Sequence, residues 1–115
     1  MDALAVWDLV KVSFPYADQP VHQYRPALVI ACPEVHDRFA VLWVLMVTSA
    51  ANRGWPGDVG VSAHAECGLP AASVVRTEKI ATIDRRSVER IGRLRPADQA
   101  KVAAHVRQTL AGVSA

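Results

Sequence analysis

Proline and glycine cut this 115-residue chain into short apolar runs, and that punctuation restricts it to short strands turned back on one another. Residues Ala5 to Ser13 alternate loosely around Val6, Val10 and Val12, and run into Phe14-Pro15-Tyr16-Ala17-Asp18-Gln19-Pro20, where two prolines end extended structure. Pro26 to Ala31 and Phe39 to Thr48 are rich in Val, Ile, Leu, Phe and Trp. Cys32 to Asp37 supplies the turn between them, so they read as neighbouring strands. Asn52 to Asp58 reads as a turn-rich loop, Val59 to Ala63 as a short strand and Glu66 to Pro70 as another break. Ser73 to Arg76 and Lys79 to Ile83 read as strands, and Ser87 to Arg90 as a short helical turn.

The period then changes. Val102, Val106 and Leu110 fall on one stripe with Ala103 beside it, the spacing of an amphipathic helix expected to pack on the sheet. Pro96 suits its first turn, Asp98 complements its positive end and Gly112 suits its stop. The expected fold is mainly β with a C-terminal helix (α+β), a small, strongly curved antiparallel barrel or half-open sheet. At 12.5 kDa, residues 1–115 are expected to form one domain, and 51% apolar content is ample for its core.

The most apolar segment, Phe39 to Ala51, is about half the length of a membrane span, and no basic region followed by an apolar run opens the chain. A cytoplasmic protein is expected. Cys32 and Cys67 are too few for a disulfide framework and lack the CxxC spacing of zinc or redox sites. His64, Glu66 and Cys67 could each ligate zinc, but no fourth ligand stands at metal-site spacing, so neither a metal nor another cofactor is expected. Charge is uneven. Up to Val75 there are four Lys/Arg against seven Asp/Glu, net −3; from Arg76 onward there are nine against four, net +5. A basic second half fits a polyanionic ligand, an acidic partner or a solvated face.

Tyr24-Arg25-Pro26-Ala27-Leu28-Val29-Ile30 carries the most chemical information. Proline suits the first residue of a strand, which puts Arg25 on the rim, where its planar fork of donors fits phosphate oxygens. Two more polar clusters interrupt apolar strands: Thr48-Ser49 and Arg76-Thr77-Glu78. If strand ends converge on one edge, an arginine, hydroxyls and an Arg/Glu pair meet. Cleavage of RNA by its own 2′-hydroxyl needs such a set: a base for that proton, cationic donors for the phosphorane, and help for the leaving 5′ oxygen.

In the order and spacing of its blocks the chain resembles the MazF/PemK (Kid) family of toxins from bacterial toxin-antitoxin systems, over about Val6 to Leu110. The blocks are Trp7-Asp8-Leu9-Val10, Phe14-Pro15-Tyr16, Arg25-Pro26-Ala27-Leu28-Val29, Val47-Thr48-Ser49 and Trp55-Pro56-Gly57-Asp58-Val59. Gly68-Leu69-Pro70, Ser73-Val74-Val75-Arg76, Lys79-Ile80-Ala81-Thr82-Ile83-Asp84 and Ile91-Gly92-Arg93-Leu94 complete them. The resemblance implies an SH3-like barrel working as a homodimer. It implies a metal-independent endoribonuclease that cleaves single-stranded RNA at a short sequence, leaving 2′,3′-cyclic phosphate and 5′-hydroxyl ends, and that is restrained by a cognate antitoxin. By motif, Arg25 and Thr48 match the residues that contact the scissile phosphate, and Arg76 and Glu78 fall at acid and base positions. Glu78 stands where the Kid branch has Asp, and Trp7 where the family usually has Gly.

His22 is a possible base near Arg25, and Tyr16 and Trp55 could stack on RNA bases; Ser49 and Lys79 join them as RNA-binding candidates. Trp43, in mid-strand, is expected in the core. The rival reading is a non-catalytic CcdB-type toxin that binds a protein such as gyrase, against which stands the bland end Ala111-Gly112-Val113-Ser114-Ala115. A third is a barrel that binds RNA without cutting it.

Overall fold

Six strands form one antiparallel sheet in the computed structural model, which describes residues 3–15, 22–35 and 40–114. They are β1 (Asp8–Pro15), β2 (His22–Ala31), β3 (Val41–Ser49), β4 (Asp58–Gly60), β5 (Ser73–Asp84) and β6 (Val88–Arg93). Their spatial order is β4-β5-β3-β2-β1-β6, and among the described residues no pairing joins β4 to β6, so the barrel stays open. Register shifts in the β1–β6, β2–β3 and β3–β5 ladders bend the sheet. Both of its faces are apolar. Leu9, Leu28, Leu45, Val47 and Val75 form one core, and Val10, Val12, Ala27, Val29, Leu42, Val44 and Met46 form the other.

Helix α1 (Pro96–Thr109) covers the first core with Val102, fully buried, and Val106 beside it; Leu110, the third residue of the stripe, stays half-exposed at the helix end. The expected stop at Gly112 is instead a short helix α2 (Ala111–Ser114). Asp98 in the first turn of α1 is buried and accepts hydrogen bonds from Ser62 N–H (2.9 Å) and Ser62 Oγ (2.8 Å), tying the helix to the loop after β4. Asp98→Ala removes the charged acceptor of both Ser62 donors and with it the tie between helix and loop. A loss of about 2 kcal/mol is expected, read by circular dichroism as a Tm lower by about 10 °C.

Several elements differ from the sequence reading. His22 is the first residue of β2, and Pro26 lies inside that strand instead of opening it. The proline is tolerated because pairing of β2 with β3 begins only at Ala27, so Pro26 stands on a locally open edge. The segments 73–76 and 79–83 are one strand, β5, in which Thr77 to Lys79 bulge out between Arg76, opposite Met46, and Ile80, opposite Leu45. Residues 88–90 belong to β6; a 3-10 turn occupies Arg85–Ser87, with the Asp84 carboxylate accepting from Arg86 N–H (2.8 Å). The strand predicted at 59–63 shrinks to β4. Trp43 is 45% exposed, not in the core, because it lies beyond the part of the bent sheet that α1 covers. Tyr16 lies outside the described residues.

Trp7 takes the left-handed conformation (φ 80°) that a glycine would adopt without cost. It is held there by backbone bonds on both sides: Trp7 N–H to Val29 O (2.8 Å) and Leu94 N–H to Trp7 O (3.0 Å). The glycine-to-tryptophan departure thus leaves the first strand in place.

Candidate active site

Strand parity gathers the basic side chains. Arg25 lies two residues before Ala27, Ala27 pairs with Met46, Thr48 lies two residues after Met46, and Arg76 pairs with Met46. All therefore share one face of the sheet. Beyond the Ala27–Met46 pair β2 and β3 have no further pairing, so Tyr24 to Pro26 part from Val47 to Ser49. The gap forms a hollow of about 160 Å³ lined by Arg25, Thr48, Asn52, Arg76 and Lys79, over Met46 and Val47. At about 30 Å³ per water that space takes about five water-sized groups, the scale of a phosphate rather than a nucleoside.

The three cations differ in availability. Arg76 is fixed: its Nε donates to Asp58 Oδ1 (3.2 Å), one terminal nitrogen donates to Asp58 Oδ2 (3.1 Å) and Asn52 O (2.7 Å), and the guanidinium lies 4.3 Å from the centre of the Trp55 ring. Arg25 and Lys79 are exposed and make no hydrogen bond or ion pair with another described residue, so their donors are free for a ligand. Asn52 Nδ2 donates to Thr48 Oγ1 (3.2 Å), leaving the Thr48 hydroxyl hydrogen to be donated into the hollow. Among the described residues the lining holds no carboxylate, and Asp58 is engaged by Arg76, so the potential favours an anion.

Asp58 is set by its turn. Its Oδ2 accepts from the Gly54 and Trp55 amides (3.2 Å each), and Gly57, at φ 82°, brings the loop against the β5 bulge. A Cβ at Gly57 would lie 2.4 Å from Thr77 Oγ1, which donates to Gly57 O (2.7 Å). Burial works against ionisation of Asp58, but hydrogen bonds from Arg76 and from the Gly54 and Trp55 amides prevail and lower its pKa.

The sequence-predicted residues sort as follows. Arg25, Thr48, Arg76 and Lys79 line one hollow; Ser49 lines the larger opening beside it. Glu78 does not line the hollow: it stands exposed in the bulge, near Gly57, and the partner of Arg76 is Asp58 instead. Trp55 is engaged with Arg76, and the side chain of His22 lies outside the described residues. Sequence reasoning missed Asn52 and Asp58. The signal for Asp58 was the Gly-Asp pair closing a turn ahead of a strand, where an aspartate bonds preceding amides; Asn52 carried none.

A bent, open antiparallel sheet with a basic hollow where two strands part defines a small β protein whose charged hollow suits an anion. Residues 5–110 match the family model of the PemK-like, MazF-like toxin of type II toxin-antitoxin systems, and the chain belongs to that family. A search of curated proteins returns no match. Solved structures share the fold. MazF from Deinococcus radiodurans is 24% identical with a TM-score of 0.68, covering 96% of this chain and 99% of that one. A chain from the MazE–MazF complex of the same organism is 22% identical with a TM-score of 0.69, covering 96% and 97%. The Mycobacterium tuberculosis toxin MazF-mt6 is 22% identical with a TM-score of 0.64, covering 89% and 95%. Among the described residues no helix is long and apolar enough to cross a membrane.

Proposed function

We propose that this toxin is an endoribonuclease that cleaves single-stranded RNA at a short sequence by attack of the 2′-hydroxyl on the neighbouring phosphate. The observation that carries the reading is the hollow itself, a phosphate-sized space lined by an oriented hydroxyl and by two cations that pair with no other described residue. Arg25 stabilises the charge that develops on the phosphorane oxygens, Thr48 donates to the same phosphate, and Lys79 adds a point charge. Arg76, anchored by Asp58, forms a fixed cationic wall. Glu78, in the bulge next to the lining residue Lys79, makes no hydrogen bond or ion pair with another described residue; in this reading it swings to the edge of the hollow and accepts the 2′-hydroxyl proton. The 2′ oxygen bonds to phosphorus, the bond to the 5′ oxygen breaks, and water protonates that oxygen; the hydroxide left takes the proton from Glu78 and restores the carboxylate. A 2′,3′-cyclic phosphate and a 5′-hydroxyl result, with no step that requires a metal.

Similarity to a chain of the MazE–MazF complex supports a cognate antitoxin as the restraining partner, and family membership supports a homodimer working in the cytoplasm as a single 1–115 domain. No feature of the site favours a non-catalytic binder. The test is incubation of the purified chain with mixed-sequence single-stranded RNA in EDTA, with the product ends mapped. Cleavage giving cyclic-phosphate and 5′-hydroxyl ends is expected, abolished by a single 2′-deoxy substitution 5′ of the cut. RNA left intact, or cut only when Mg²⁺ is restored, overturns the reading.

A further inference from the structure

The phosphate-sized hollow is continuous with a second, larger one. Arg25, Val47, Thr48 and Asn52 line both, and the second extends past Arg25 to Tyr24, Ser49 and Pro70, with a volume of about 370 Å³. That is at the lower end of small-ligand sites and more than twice the first, room for a nucleobase with its sugar. Among the described residues its lining carries no charge except Arg25, which suits a planar, uncharged ring.

Tyr24 is built to present its ring. It pairs with Ser13 on β1, lies on the face opposite to Arg25, and remains 60% exposed. Lys11, on β1, stands over the ring at 5.2 Å from its centre and is itself tied to Glu89 of β6 (3.4 Å). One face of the ring thus carries the Lys11 ammonium, while Tyr24 borders the opening. Ser49 Oγ accepts from Ala51 N–H (3.3 Å), so its hydroxyl hydrogen is available to an acceptor at the edge of a bound base.

From this arrangement we infer that Tyr24 forms a nucleobase subsite next to the phosphate hollow, stacking on the base of one nucleotide flanking the bond to be cut, with Ser49 donating to that base's edge. The inference rests on the endoribonuclease reading for its role in catalysis but not for its existence as a binding site. Tyr24 binds and orients; it takes no part in proton transfer.

Two measurements test it separately. First, cleavage of random-sequence single-stranded RNA is followed for wild type, Tyr24→Ala and Tyr24→Phe, with cut sites mapped. Tyr24→Ala is expected to raise KM about 5- to 150-fold, with the loss in KM rather than kcat, and to flatten the base preference at one flanking position; Tyr24→Phe, which keeps the ring, restores both. Unchanged KM and preference in Tyr24→Ala overturn the subsite. Second, a single-stranded DNA oligonucleotide with 2-aminopurine at that position, which cannot be cut, is titrated with each variant. Quenching by wild type and Tyr24→Phe but not Tyr24→Ala supports the subsite even if wild type leaves RNA intact. Equal quenching by all three, or none by wild type, overturns it whatever the RNA result.

Discussion

Arg25→Ala is expected to lower the rate of RNA cleavage by about 10²- to 10³-fold while leaving the fold unchanged. The hollow holds three cations, but the guanidinium of Arg76 is already occupied by Asp58, Asn52 O and the Trp55 ring, and a lysine offers a point charge without a fork. Arg25 is therefore, among the described residues, the guanidinium in the lining free to follow charge as it builds on two phosphate oxygens, and losing one preorganised donor to a developing oxyanion costs a factor of that size. Arg25 is exposed and pairs with no other described residue, so its removal should move stability by no more than about 0.5 kcal/mol. Arg25→Lys should recover only a small part of the rate. Single-turnover cleavage beside a thermal melt makes the comparison; a rate within threefold of wild type in Arg25→Ala would remove this residue from the chemistry.

The sequence disclosed the strands and the helix because their apolar periods differ, and it disclosed Arg25, Thr48 and Arg76 because each interrupts an apolar run. It could not show what joins them. The parting of β2 from β3 depends on where pairing stops, and the bulge at Thr77 to Lys79 depends on the partner strand; neither leaves a local trace. Trp43 was misplaced for a related reason. In a sheet with two apolar faces, alternation no longer distinguishes inside from outside, and only the position of the covering helix decides. Ser87 to Arg90, read as a helical turn, straddles the end of the 3-10 turn and an edge strand with a register shift in its ladder to β1. Glu78 is adjacent in sequence to Arg76's neighbours but stands in the bulge, whereas Asp58, 18 residues away, reaches Arg76 because β4 pairs directly opposite it.

That Asp58–Arg76 pair should be the costliest interaction in the site to break from one side. Both side chains are nearly inaccessible, 8% and 11% exposed. Asp58→Ala leaves a buried guanidinium without its counter-charge and releases the Gly54 and Trp55 amides, so a loss of about 3–5 kcal/mol is expected in urea unfolding. Asp58→Ala combined with Arg76→Met should recover part of that loss, because no orphaned charge remains. The effect has a pH signature. The folded carboxyl binds its proton more weakly than the ordinary value of 3.8, so its contribution is complete above that value and disappears as pH falls through the lower, folded one. The stability gap between wild type and Asp58→Ala should therefore be constant near neutrality and narrow below about pH 4. In the cleavage assay the same substitution should slow the reaction at neutral pH, since Arg76 loses the anchor that fixes the wall of the hollow. A gap under about 1 kcal/mol at pH 7, or one that widens in acid, would show that the pair does not hold this site together.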